Sequence, residues 1–464
     1  MKTFNPKPYA ARRARLIKQL KDAGGGIAII PTAPEAPRNR DTHYPYRHDS
    51  YAYYLSGFTE PETVIVLIAG KKSATSILFC RAKHEEREIW DGFRYGPQAA
   101  KSTFAFDEAY PVEEFDARLP NLLAGAPSLF YSMGFDAAFD DRVMKALNAV
   151  RAMARSGLNA PEAIRDARTM VDAMRLVKDK HEIDTMRRAG AISTEAHKRA
   201  MRAARPGAFE YEVEAELLHE FRRQGSEYPA YTSIVAAGAS ACVLHYISND
   251  QQMKDGDLLL IDAGCELNSY ASDITRTFPV NGKFSGPQRD LYQIVLDAQA
   301  AAIAKTKPGV PFNVPHEAAV KVLAQGMVDV GLLRGSVEAA IEQGNKREGG
   351  YFRFYMHRTG HWLGMDVHDC GSYVEPTEVG EVSERKDPLS NEVIKNRPSR
   401  ILHPGMVLTI EPGIYVRPAE GVPEAFHNIG IRIEDDAIVT DAGCELISRG
   451  VPVAADEIEA LMRA

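Results

Sequence analysis

The chain has 464 residues, 45% hydrophobic and 26% charged, which is ordinary for a folded globular protein and long enough for two domains. Its formal net charge of -7 offers no basic footprint for nucleic acid, and apolar runs such as 64–69 and 258–263 are too short to span a bilayer. The basic N-terminus is followed by no apolar stretch, and Cys80, Cys242, Cys265, Cys370 and Cys444 form no C-x-x-C pair. A cytoplasmic protein with no disulfide framework, no thiolate metal site and no membrane partner is expected.

Along the first third, helix-like and strand-like segments alternate: a basic helix over 10–23, strands over 26–31, 63–69 and 76–81, and helices over 113–123 and 140–156. Such alternation predicts an α/β layered domain. Residues 170–179 read as the passage into a second domain, giving an expected division into 1–172 and 173–464. Helical patterns over 181–204, closed by Arg205-Pro206-Gly207, and over 210–223, closed by Gly225, then precede strands at 234–237, 258–263 and 274–280. Helices over 287–304 and 315–325 precede strands at 406–411, 430–437 and 444–447. Two helices followed by strands, given twice, predicts an internally duplicated α+β domain. Residues 375–400 are polar and aperiodic, a segment expected to rim an active site.

The chemistry is concentrated in the second domain. His357, His361 and His368 fall within twelve residues, with Asp262 and Asp273 upstream and Glu411 and Glu434 downstream. All four acids lie in or at the ends of apolar strand-like runs, where an uncompensated carboxylate is costly. Asp262 and Asp273 are eleven apart, a spacing that suits adjacent antiparallel strands turning at 266–268. Four carboxylates and one imidazole, Asp262, Asp273, His361, Glu411 and Glu434, would compensate two divalent ions, a hard anionic set suited to Mn²⁺, Co²⁺, Fe²⁺ or Mg²⁺, with Zn²⁺ also able to bind. Two such ions lower the pKa of a shared water, and Glu411 is the best general base, with one oxygen for metal and one for the proton. His245, His357 and His368 remain to hold the scissile carbonyl, stabilise an oxyanion and assist departure of the amine. Glycines and apolar residues between the three clustered histidines argue for strand or loop there, not helix. Arg432, two before Glu434, can orient a carboxylate or contact substrate.

These motifs, Asp262-Ala-Gly, Ser-Asp273-Ile-Thr-Arg-Thr-Phe, His357-x-x-Gly-His361-x-Leu-Gly-x-Asp-Val-His368-Asp, Glu411-Pro-Gly-Ile-Tyr415 and Gly-Ile-Arg432-Ile-Glu434, together resemble the pita-bread metallopeptidases, and among them the Xaa-Pro aminopeptidases. Tyr53-Tyr-Leu-Ser-Gly-Phe-Thr-Glu-Pro-Glu62 and Glu88-Ile-Trp90-Asp-Gly extend the likeness to the first domain. The resemblance implies an α/β N-terminal domain before an α+β pita-bread catalytic domain. It implies two metal ions, typically Mn²⁺, on the five ligands above, and His245, His357 and His368 acting on substrate and transition state. It further implies proline-containing peptides as partners, cleaved after their first residue when proline is second, with Tyr415 and Arg432 among the substrate-binding residues. Oligomerisation as a dimer or tetramer is implied as well, with Trp90 helping to close another subunit's site.

Proline selectivity has a physical basis, because an Xaa-Pro bond lacks an N–H and an apolar ring pocket can replace amide recognition. The chain departs from the family pattern at Arg358, where glycine is common, and in the length of 375–400. An Xaa-Pro dipeptidase on the same fold is the alternative. It would need a cation for the carboxylate after proline, and Arg358, Arg397 and Arg400 are available. A non-catalytic binding protein would be expected to lack one or more of the metal carboxylates, and all are present in the sequence.

Overall fold

A computed structural model describes residues 4–70, 74–344, 350–376, 383–386, 393–396 and 398–464, with 383–386 and 393–396 described for their backbone. It divides into two compact units, Met1–Met174 and Arg175–Ala464.

The first unit is built on a six-stranded mixed sheet, in spatial order Glu108–Pro111, Ala74–Cys80, Val64–Ala69, Gly26–Pro31, Ser128–Phe130 and Ala163–Arg165. Gly26–Pro31 runs antiparallel to Val64–Ala69 and parallel to Ser128–Phe130. Ile27, Ile29, Val64, Val66, Ile77 and Phe79 turn one sheet face onto the helices Phe115–Leu123 and Ala137–Ala152, which return Phe115, Leu119, Val143 and Leu147 to the same core. Burying each such side chain contributes about 1.5–3 kcal/mol. The units divide within the stretch 170–179 expected as the passage, whose first part, to residue 175, belongs to the helix Arg168–Arg175. Short helices at Ser50–Ser56 and Glu85–Asp91 gave no usable periodicity in the sequence.

In the second unit, Lys180–Ala203 packs on Glu210–Arg223, and Gly286–Lys305 on Asn313–Asp329. Asp179 with Glu182, and Ser285 with Gln288, form reciprocal capping boxes that satisfy orphan backbone donors where the first helix of each pair begins. The strands between and after the pairs do not run as continuous ladders. Leu258–Asp262 is central between Ile234–Ala237 and Thr275–Pro279. Val407–Ile410 pairs with Asp435–Val439, while Gly413–Val416 pairs with Ile429–Arg432. The single strand expected over 430–437 is therefore two, broken at Ile433-Glu434, directly across from a second break at Glu411-Pro412. Pro412 lacks the N–H that a continued ladder would use. The Ile433 amide reaches the Pro412 carbonyl at 3.3 Å, and the Glu434 amide turns to the Thr275 carbonyl at 3.0 Å.

Within 375–400 the strands Ser383–Lys386 and Val393–Asn396 pair antiparallel. The expected rim spanning the rest of that segment falls largely outside the described residues, although Val374 and Ser399 at its two ends line the cavity described below. No helix among the described residues is long and apolar enough to cross a membrane.

Candidate metal centre

Both strand breaks and the end of the aspartate hairpin open onto one cavity of about 1110 Å³. Asp262 closes Leu258–Asp262, opposite Thr275. The chain then makes the hairpin Cys265–Leu267 and Tyr270–Ala271, turning at Asn268-Ser269, both at positive φ, one residue later than expected. Asp273 follows on the way to Thr275–Pro279, and its amide donates to the Asp436 carboxyl at 3.2 Å. Gly264 is required in this crossing, because a Cβ there would lie 1.7 Å from the Ser272 carbonyl oxygen.

Donor atoms of Asp273, His361 and Glu434 all lie within 4.8 Å of one another, a group able to hold a metal ion. His361 Nδ1 donates to the Trp362 carbonyl at 2.9 Å, which leaves Nε2 facing Asp273 Oδ2 at 3.4 Å and Glu411 Oε1 at 3.6 Å. Glu434 accepts from Thr275 Oγ1 at 2.6 Å. Asp262 Oδ2 takes a 2.6 Å ion pair from Arg432, whose guanidinium also reaches Tyr415 Oη at 2.9 Å and Thr275 Oγ1 at 3.1 Å.

Electrostatics test whether a cation belongs here. Burial, reinforced by the charges of Asp273 and Glu411, drives Glu434 far above the usual carboxylate range. Burial pushes Glu411 up to about 7 against the pull of His361 and Arg432. Burial also raises Asp262, although Arg432 pulls it down. His361 would be lowered by its burial, but its hydrogen bond to Asp273 and the charge of Glu411 carry it up to about 9. The Tyr231 hydroxyl lies in hydrogen-bond reach of Asp262 and Asp273 together, and one proton cannot serve two carboxylates. Three acids raised by burial, beside an Asp273 that the His361 hydrogen bond and charge keep low against its own burial, and no thiolate among them, fit divalent metal ions.

The remaining histidines differ from one another. His245 and His368 are exposed on the cavity wall, and the His368 ring stands 4.2 Å from that of His361. His357 has both nitrogens engaged: Nδ1 donates to its neighbour's carbonyl, that of Arg358, at 2.8 Å, and Nε2 accepts from Tyr415 at 2.8 Å. Burial and the Arg432 charge lower it to about 3, so its ring is neutral. The three-histidine stretch is loop, anchored by Asp369, whose carboxylate pairs with Arg175 at 2.6 Å and Lys178 at 2.9 Å, all three buried. Gly360 in this stretch also admits no side chain, since a Cβ would meet the Thr409 carbonyl oxygen at 2.1 Å.

Arg432 and Tyr415 stand beneath the cavity, with Arg432 lining it. Trp90 does not line it; it lies on Glu85–Asp91 in the first unit and is 85% exposed. Sequence reasoning missed Tyr231 and Thr275. The alternating polar positions Asp273, Thr275 and Thr277 in a buried strand were a usable signal for Thr275, whereas nothing local marked Tyr231.

Metallopeptidase family M24 matches residues 184–441, and the aminopeptidase P N-terminal domain matches residues 9–131. The chain is 42% identical over 463 residues to the Xaa-Pro aminopeptidase of Escherichia coli strain K12, covering 100% of this chain and 99% of that one. It is 40% identical over 454 residues to the Xaa-Pro aminopeptidase of Haemophilus influenzae, covering 98% and 96%. Its fold superposes on the structure of Pseudomonas aeruginosa aminopeptidase PepP with a TM-score of 0.91 at 45% identity, covering 100% and 99%.

Proposed function

The chain belongs to metallopeptidase family M24, and from that membership we infer that its cavity hydrolyses the N-terminal Xaa-Pro bond of peptides. It is a metal-dependent Xaa-Pro aminopeptidase with the pita-bread fold. The observation that carries this reading is the convergence of Asp273, His361 and Glu434 at the floor of a peptide-sized cavity, with Asp262 and Glu411 beside them.

We propose two ions, Mn²⁺ in the first instance, held by Asp262, Asp273, His361, Glu411 and Glu434. When bound, such ions polarise a carbonyl and lower the pKa of the attacking water. The chain's own residues supply the rest. Glu411, with one carboxylate oxygen facing His361 and the other facing His357, is placed to take and return a proton. His245 and His368 face the bound peptide, where an imidazole N–H can donate to the carbonyl oxygen as negative charge develops. His357 works beside them through the bonded line Arg432, Tyr415, His357, which fixes its tautomer. Leu244, Ile247 and Val367 give the cavity an aliphatic surface suited to a proline ring. Arg400 is drawn to Glu375 at 3.6 Å, which weakens its claim as a clamp for a free carboxylate, and Arg397 lies outside the described residues.

We also propose a homo-oligomer, dimer or tetramer, whose contacts cover the exposed Ile89, Trp90 and Phe93. The five free cysteines suit the reducing cytoplasm that we propose as its location.

The test is a matched set of rates on the Mn²⁺-loaded protein: Ala-Pro-Ala-Ala, Ala-Pro and Ala-Ala-Ala-Ala. The tetrapeptide with proline is expected to be the best substrate, and the one lacking it to be nearly inert. A tenfold preference for the dipeptide would move the assignment to a dipeptidase.

A further inference from the structure

Two arginines line the cavity and their situations are opposite. Arg432 is buried and engaged by Asp262, Tyr415 and Thr275. Arg358 is exposed, and its guanidinium has no hydrogen bond or ion pair among the described residues. It stands where the main cavity meets a small recess of about 10 Å³ containing His316 and Thr359. His316 does not add charge there: burial, and then the charge of Arg358 itself, lower it to about 4, and its Nδ1 is bonded to Thr359 Oγ1 at 2.8 Å. The acids lining the cavity, Asp262, Asp273, Glu411 and Glu434, form the metal centre, whose two divalent ions would balance their four charges. Both arginines are then in excess of the acids, but Arg432 is held by its bonds to Asp262, Tyr415 and Thr275, so Arg358 is the planar cation on the cavity wall that is left to meet a ligand.

Resting on the aminopeptidase reading, we propose that Arg358 selects peptides that carry a carboxylate side chain next to the Xaa-Pro bond, on the first or the third residue. A guanidinium and a carboxylate form paired N–H···O bonds in one plane, a geometry that neither an amide nor an amine reproduces. The cation is solvent-exposed, so the preference is modest, about fivefold, and it shrinks as salt is added. The contact is made equally before and during reaction, so it acts on KM and not on kcat.

The experiment compares kcat/KM on the Mn²⁺-loaded enzyme within two isosteric pairs. These are Glu-Pro-Ala-Ala with Gln-Pro-Ala-Ala, and Ala-Pro-Glu-Ala with Ala-Pro-Gln-Ala. In one pair, which identifies the position read, wild-type protein is expected to favour glutamate about fivefold through KM. Arg358→Gln should bring that ratio to one, and Arg358→Glu should invert it. Because each ratio is taken within one variant, a general loss of rate cancels. Calorimetric titration with the uncleaved peptides Glu-Ala-Ala-Ala, Gln-Ala-Ala-Ala, Ala-Ala-Glu-Ala and Ala-Ala-Gln-Ala should give the same ordering as binding alone. Equal rates within both pairs, or a glutamate preference that survives Arg358→Gln, would overturn the proposal. Failure to cleave any of the proline peptides would instead overturn the aminopeptidase reading.

Discussion

At one edge of the metal centre, Asp262 meets a permanent cation, Arg432, at 2.6 Å. At the other edge Glu411 accepts from the Thr409 hydroxyl at 3.3 Å and faces two imidazoles, His361 Nε2 and His357 Nδ1, each at 3.6 Å, of which His357 is held neutral. Both carboxylates are raised by burial and both feel the Arg432 charge, yet only Asp262 is in direct contact with it. The Asp262 edge is thus compensated by the chain itself. The Glu411 edge is compensated by something removable, a proton or a metal ion.

The largest effect comes from the acids shared between the edges. Asp273→Ala or Glu434→Ala should lose most bound metal and several kcal/mol of transition-state stabilisation, on the order of a thousandfold in rate. Elemental analysis alongside kcat/KM checks this, and a fully active wild-type subunit holding at most one ion would end the two-ion reading.

Next come the edges themselves, compared in the metal-free protein. Arg432→Ala strands a buried carboxylate and should cost about 3–5 kcal/mol, whereas Glu411→Gln removes a strained charge and should raise the melting temperature at neutral pH. Equal destabilisation by the two would erase the contrast.

A smaller loss is expected from His368→Ala and His357→Ala, roughly 3 kcal/mol or a hundredfold in kcat with metal content intact. Stoichiometric loss of metal from His368→Ala would make it a ligand.

The edges should also differ in their response to pH. Glu411 is raised from 4.5 to about 7, so its contribution to metal-free stability is full below about pH 4.5 and lost as pH rises through 7. His357 is lowered from 6.5 to about 3, so its contribution is present above pH 6.5 and lost as pH falls through 3. Between pH 6.5 and 7 His357 adds nothing further, while Glu411, Glu434 and His361, the last raised to about 9, all lower metal-free stability as pH rises, and Mn²⁺ should reverse that decline. Melting curves across this range with and without Mn²⁺ are the check. The smallest effect is expected from replacing all five cysteines by serine, which should leave hydrolysis by the folded protein unchanged.

The acids that line the cavity were legible because carboxylates interrupting apolar runs have few structural explanations, and Asp262, Asp273, Glu411 and Glu434 each do so. The long helices were legible from periodicity and their stop signals, Gly225 among them. The break at Ile433-Glu434 was not, because Gly-Ile-Arg-Ile-Glu-Asp-Asp-Ala alternates well enough to pass for one strand. The division is set by the partners, Gly413–Val416 and Val407–Ile410, which lie about twenty residues upstream. Tyr231 was hidden for the same reason: its value lies in reaching two aspartates more than thirty residues away. Trp90 illustrates the limit of motif reading, since its surroundings can be recognised while the side chain stands exposed on its short helix.

The interrupted ladders leave the amides of three cavity acids bonded to distant segments: Glu411 to the Thr359 carbonyl, Glu434 to that of Thr275, and Asp273 to the Asp436 carboxyl. Each of these bonds fastens a different stretch of chain, so no single strand has to open for one of them to break. Their hydrogen–deuterium exchange should therefore be fast and independent while the acids repel, and slow and concerted once a shared ion ties the segments together. Three backbone protons thus serve as a native gauge of how many ions are seated, readable without a substrate.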